Sequence, residues 1–222
     1  MDIERYRKMM DLFAHEFEHT PHNLFAGCSD AEHCTADLYP AVWSPAAAEQ
    51  LFERLLKEIP WAQRDVVVYG KRYPQPRLVA WFGDKGASYT YSRLTLEPLP
   101  WTESLTHIKR QVEQLAGTRF NSVLANLYRN GQDTNGWHSD DEPELGTNPI
   151  IASVSLGAVR RFDLRHKHSK ATIRCDLPSG SLLIMAGNTQ SQWQHQLPRT
   201  KKVDSPRINL TFRSVRIAFG NN

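Results

Sequence analysis

The spacing of apolar residues divides the chain into a few helical stretches and many short extended ones. Met9, Leu12, Phe13 and Phe17 share one side of a helix expected over 3–18. Ser44 and Pro45 make a helix start, and Leu51, Phe52, Leu55, Leu56 and Ile59 recur at helical spacing until Pro60 stops them. A further helix begins after Thr102, turns Leu105, Ile108, Val112 and Leu115 inward and ends at Gly117. Most of the remainder is predicted as strands at 65–69, 78–82, 123–128, 151–156, 160–165, 172–175, 181–186 and 206–218, separated by turns such as Asn130-Gly131 and Gly187-Asn188. This order predicts a mainly β, α+β chain: a β-sandwich or barrel with helices packed on one face.

At 222 residues the chain can bury a core without a metal or disulfide staple, so a metal site would serve chemistry. The expected organisation is an appendage over 1–40 followed by one domain over 41–222. Mean hydropathy of −0.53 and short apolar runs exclude a membrane helix. The start (Asp2, Glu4, Arg5) lacks the apolar region of a secretory signal. An intracellular monomer is expected, cytoplasmic if bacterial and nuclear if eukaryotic. Cys28, Cys34 and Cys175 are odd in number, which favours a reducing compartment, and the Cys28–Cys34 spacing is longer than that of structural zinc sites, so all three read as free thiols. A net charge of +3 is too small to imply nucleic acid by itself.

The chemistry concentrates around Trp137-His138-Ser139-Asp140-Asp141-Glu142. In extended chain His138 and Asp140 point to one side, about 7 Å apart along the strand, so both reach one ion. His195, after the apolar strand 181–186, is the best third ligand. Two histidines and a carboxylate leave coordination positions open, as in non-haem Fe(II) oxygenases. Arg207, Asn209, Thr211 and Arg213 alternate with Ile208, Leu210 and Phe212, so the polar four share a strand face that suits a small dicarboxylate. Asn126 and Tyr128 repeat the spacing on the strand leading to His138.

With these residues in view, the sequence resembles the AlkB family of Fe(II)- and 2-oxoglutarate-dependent dioxygenases, in the branch that repairs alkylated DNA. The likeness runs from about Val66 to Phe219 and includes Pro76-Arg77, Trp81-Phe-Gly-Asp84, Tyr89-Thr-Tyr-Ser92, Asn126-Leu-Tyr128, His138-Ser-Asp-Asp-Glu142, Arg161-Phe162, His195 and the Arg207–Arg213 strand. The resemblance implies a double-stranded β-helix (jelly-roll) core, with Fe(II) held by His138, Asp140 and His195. It implies that 2-oxoglutarate chelates the iron and is held at its far carboxylate by Arg207 and Tyr128, with Asn126, Asn209, Thr211 and Arg213 completing the pocket. Dioxygen is the second co-substrate. The implied activity is oxidative removal of N-methyl groups, as in 1-methyladenine or 3-methylcytosine, with release of formaldehyde. RNA demethylation, protein hydroxylation and a non-catalytic nucleic-acid-binding module are the alternatives.

A target base must be flipped out or single-stranded to reach a buried iron. The resemblance puts an aromatic wedge at Tyr69-Gly70-Lys71 and a base-pocket strand at Tyr89-Thr90-Tyr91. Ser92-Arg93 departs from the Ser-Gly of that pattern. The lesions are cationic, which makes Asp141 and Glu142 candidate acidic contacts. Arg160, Arg161, Arg165, Lys167, Lys170 and Arg174, with Arg199, Lys201 and Lys202, are candidate phosphate contacts on a DNA or RNA partner.

Overall fold

The computed structural model describes residues 20–68, 71–87, 89–91 and 94–217. Their order is β1 (His22–Asn23), β2 (Cys34–Tyr39), α1 (Pro45–Glu58), β3 (Ala62–Val68), β4 (Lys71–Gly83), β5 (Tyr89–Tyr91), β6 (Leu94–Leu96), α2 (Glu103–Ala116), β7 (Ser122–Tyr128), β8 (Asn135–His138), β9 (Ile151–Gly157), β10 (Arg160–His166), β11 (Thr172–Leu177), β12 (Ser181–Gly187), α3 (Thr189–Gln192), β13 (Trp193–Leu197) and β14 (Arg207–Arg213). The expected helix over 3–18 lies outside the described residues.

The two long helices begin and end where local chemistry predicts. Ser44 accepts from the Ala47 amide and Thr102 from the Leu105 amide, while Gly117 takes the left-handed conformation (φ 62°) that closes α2. Their apolar sides, Leu51 and Leu55 with Leu105, Ile108 and Val112, lie against Val123, Ala125, Val154, Ile208, Leu210 and Phe212 of the large sheet. That sheet has the order β1-β2-β12-β9-β14-β7-β4-β3, and a second sheet has the order β11-β10-β13-β8. The second cluster joins residues of both sheets, including Phe162, Leu164, Leu183, Met185 and Trp193. The result is three layers: helices, large sheet, small sheet. It matches the mainly β jelly-roll expectation with helices on one face. No helix among the described residues is long and apolar enough to cross a membrane.

Three expectations change. Residues 22–39 are not an appendage: β2 pairs along its length with β12, and Phe25, Ala36 and Leu38 are buried in the second cluster. The Pro, Gly and Asp signals around them mark turns between packed segments. The last strand ends at Arg213 rather than 218. Finally, β8 and β13 are strands that the apolar pattern does not mark, because β8 is short and polar and β13 shows only Trp193 and Leu197 between glutamines and His195.

Candidate metal and dicarboxylate site

The small sheet brings the candidate metal ligands together. β13 runs antiparallel to β8 with His195 opposite His138, and a register irregularity follows between His195 and Leu197. The two imidazole rings lie 4.2 Å apart, centroid to centroid. Asp140, just beyond β8, completes a group whose ligand atoms all fall within 4.8 Å of one another. Asp140 is held from two directions: its amide donates to Gln190 Oε1 at 2.9 Å, and Arg213 Nη2 donates to its Oδ1 at 2.7 Å. Its Oδ2 lies 3.8 Å from His195 Nε2.

Protonation suits a divalent cation. His138 Nδ1 is 2.7 Å from the Gly136 carbonyl, which can only accept, so Nδ1 carries the proton and Nε2 keeps its lone pair. Asn135 Nδ2 lies 3.2 Å from that Nε2 and donates to it. Burial pushes both imidazoles below their ordinary pKa, His195 to about 3 with help from the neighbouring His138. Burial would raise the Asp140 carboxyl, but the Arg213 guanidinium and the two imidazoles outweigh it and hold the group well below the usual carboxylate range. At neutral pH the site therefore presents two neutral imidazoles and one carboxylate, the donor set an octahedral ferrous ion takes with positions to spare.

The same three residues line a pocket together with Asn126, Tyr128, Phe162, Arg207, Thr211 and Arg213 among others. The polar row of β14 is buried throughout. Arg207 is 2% exposed, and its Nη2 donates to Ser155 Oγ at 2.8 Å. Its Nε has no hydrogen-bond partner among the described residues, nor is a carboxylate within ion-pair distance. Burial lowers its pKa to about 10, against the attraction of Tyr128, whose ring lies 5.4 Å from the guanidinium carbon. A desolvated guanidinium with a spare donor fits the far carboxylate of 2-oxoglutarate.

Between the two arginines the row behaves differently. Asn209 Oδ1 accepts from Asn126 Nδ2 (3.1 Å) and from Thr211 Oγ1 (3.0 Å), while its Nδ2 donates to Ser153 Oγ (2.8 Å) and the Val154 carbonyl (3.1 Å). That amide is fully spent inside the protein, so Asn209 braces the pocket wall rather than offering a group to a ligand. Arg77 extends the network, donating Nε to Asn126 Oδ1 at 2.8 Å and Nη1 to Asn135 Oδ1 at 3.1 Å, and so reaches His138. Sequence reasoning assigned no role to Arg77, Asn135, Ser153, Ser155 or Gln190. Arg77, a charge just before the apolar run Leu78–Phe82, was the one with a visible signal.

On the substrate side, Tyr69 and Gly70 lie outside the described residues, and Lys71 opens β4 in an exposed position. Tyr89, Thr90 and Tyr91 form β5, paired with Leu96, Thr95 and Leu94 of β6. Asp141 is exposed and bonded to Lys167 Nζ at 3.1 Å, and the same ammonium donates to the Gln190 carbonyl at 2.9 Å. Glu142 is half-buried. The basic run is largely committed: Arg161 pairs with Asp163 at 3.0 Å, Arg165 lies 4.1 Å over the Trp137 ring, and Arg160 is 2% exposed and not a phosphate contact. Lys170, Arg174, Arg199, Lys201 and Lys202 remain exposed. The cysteines are free, and no metal cluster forms around Cys28 and Cys34 among the described residues.

The family model of the 2OG-Fe(II) oxygenase superfamily matches residues 35–213. Human alpha-ketoglutarate-dependent dioxygenase alkB homolog 3 is 45% identical over 188 residues, covering 80% of this chain and 65% of that protein. The Bos taurus protein of that name is 47% identical over 178 residues, covering 76% and 62%. Human DNA oxidative demethylase ALKBH2 is 44% identical over 188 residues, covering 80% and 72%. This chain thus spans 62–65% of the length of the alkB homolog 3 proteins it matches. The solved structure of OsALKBH1 shares the fold, with a TM-score of 0.58 at 19% identity, over 81% of this chain and 97% of that one. With the two-histidine, one-aspartate donor set and the buried anion-seeking arginine in one jelly-roll pocket, the chain belongs to the AlkB family of the 2OG-Fe(II) oxygenase superfamily.

Proposed function

We propose that this protein is an oxidative demethylase that repairs N-alkylated bases of the 1-methyladenine and 3-methylcytosine type in DNA. The observation that carries the reading is the pairing, in one pocket, of the neutral-imidazole and carboxylate donor set with a buried guanidinium that has no carboxylate in ion-pair contact among the described residues. Relatives named as DNA oxidative demethylases at 42–44% identity support the choice of substrate. When bound, ferrous iron, 2-oxoglutarate and dioxygen supply the oxidation of the N-methyl carbon, and the hydroxylated methyl then leaves as formaldehyde.

The chain's own residues organise that chemistry. His138, Asp140 and His195 hold the iron. Arg213 and the Gln190 amide oxygen fix Asp140 so that its Oδ2 stays turned toward His195. Arg207 and Tyr128 hold the far carboxylate of 2-oxoglutarate, while Asn126, Asn209 and Thr211 keep that wall rigid. Phe162, stacked on His195 at 5.3 Å, joins Leu124, Met185 and Leu197 in excluding water from the metal side. The Tyr69-Gly70-Lys71 segment and the Tyr89–Tyr91 strand receive the flipped base, and Asp141 and Glu142 favour its positive charge.

Matched single- and double-stranded DNA and RNA oligonucleotides, each with one methylated base, test this with Fe(II) and 2-oxoglutarate. A mass loss of one methylene unit and formaldehyde release on DNA are expected. Succinate release without methyl loss from any DNA would overturn the reading. Faster reaction on RNA would move the substrate assignment, and binding without succinate release would leave only a nucleic-acid-binding module.

A further inference from the structure

Arg160 is the first residue of β10 and one of the largest fully buried side chains. Its guanidinium serves main-chain carbonyls: Nη1 donates to Asn130 O at 3.0 Å, and Nη2 to Asp133 O at 2.9 Å and Pro198 O at 2.8 Å. Two of these carbonyls belong to the connection from β7 to β8, and the third opens the connection from β13 to β14. The connections also meet directly, Gly131 N donating to Val203 O at 2.7 Å and Thr200 N to Gly131 O at 2.9 Å. Gly131 is required there, because a Cβ would lie 2.6 Å from the Val203 carbonyl. The strands so tied carry Tyr128, His138, His195 and Arg207.

Fastening two loops does not by itself call for a charge, and burying one is costly. The charge has a second neighbour. The Arg160 guanidinium carbon lies 5.9 Å from the Tyr128 ring centroid, and that of Arg207 lies 5.4 Å from the same centroid. The nearby Asp133 carboxylate pairs with Arg129 at 2.8 and 2.9 Å and offsets the Arg160 charge only in part, at longer range. Two buried cations therefore share the Tyr128 ring, which lines the pocket beside Arg207, and their mutual repulsion is relieved by an anion placed near them.

We propose that Arg160 is a positioning residue for the far carboxylate of the co-substrate. It holds the Tyr128 and Arg207 end of the pocket in register and adds a second positive charge there, so that the site selects a dicarboxylic over a monocarboxylic 2-oxo acid. The inference rests on the assignment of 2-oxoglutarate to this pocket.

Calorimetric titration of the Mn(II)-loaded full chain with 2-oxoglutarate and with 2-oxobutyrate, which lacks the far carboxylate, tests it without turnover. Arg160→Met is expected to weaken 2-oxoglutarate about tenfold and to leave 2-oxobutyrate within about twofold. Arg160→Lys keeps the charge but not the three-carbonyl grip, and is expected to weaken 2-oxoglutarate about threefold with the same selectivity. It carries the test alone if the methionine variant does not fold. Arg207→Met, the reference, should weaken 2-oxoglutarate about a hundredfold. Equal weakening of both acids by the Arg160 variants, or unchanged 2-oxoglutarate binding in them beside a weakened Arg207→Met, overturns the role of Arg160 and leaves the pocket assignment standing. Unchanged binding in Arg207→Met as well overturns the pocket assignment, and the inference with it.

Discussion

The two arginines that end β14 are both buried on the same strand face, yet the protein treats their charges oppositely. Arg213 is matched from within by the Asp140 carboxylate at 2.7 Å. Arg207 meets a serine hydroxyl and an aromatic ring instead, with no carboxylate in ion-pair contact among the described residues. A buried ion pair costs little once formed and much when one partner is removed. The Arg213 end is therefore suited to holding the Asp140 carboxylate in place, and the Arg207 end to receiving an anion from outside, as the proposed function requires. The difference lies in what faces each residue, since the residue type is the same.

Four expected outcomes would sharpen or break this contrast. His138→Ala removes a proposed ligand while leaving the Asp140–Arg213 pair intact, and should cut the proposed methyl removal at least about a thousandfold, with metal content falling in parallel. Retained activity with a bound ion would exclude His138 as a ligand. Asp140→Ala is the less clean variant, because it also deprives Arg213 of its carboxylate.

Arg213→Met should destabilise the fold by about 3–5 kcal/mol in urea unfolding, since it leaves Asp140 buried without its guanidinium. A loss no larger than that of an exposed substitution would mean that the pair is structurally idle. Arg207→Met should change unfolding by less than about 1 kcal/mol, because no carboxylate among the described residues is abandoned, while raising the 2-oxoglutarate requirement. If its cost in stability matched that of Arg213→Met, the two ends would be equivalent and the contrast would fail.

The last test is a pH dependence of the protein stripped of metal. His195 titrates at 6.5 when unfolded and is pushed down to about 3 by burial in the fold, so the unfolded chain binds the extra proton between those values. Stability is complete above 6.5 and is lost as pH falls toward the folded value, by up to about 1.4 kcal/mol per unit for this group. His138 and Asp140, both shifted downward, change stability in the same direction. Urea midpoints that stay level from pH 6.5 to 4 would show that the imidazoles are not buried neutral.

Local sequence alone determined the helices at 45–58 and 103–116, whose caps and periodicity act within a few residues. It also determined the alternation that places Arg207, Asn209, Thr211 and Arg213 on one strand face, and the joint reach of His138 and Asp140. Only the tertiary structure decided that this polar face is dry, because a row of alternating polar residues faces either water or a second sheet, and the second sheet comes from distant segments. The meeting of His195 with His138 depends on the pairing of β13 with β8, two strands with little apolar pattern of their own. The fates of single charges were equally illegible: Arg160 is buried on carbonyls, and Lys167 is bound to Asp141. Charge along a sequence reports what a residue can pair with, and packing selects the partner. Residues 22–39 show the same limit, since their turn-forming composition describes the bends but not the sheet those bends deliver them to.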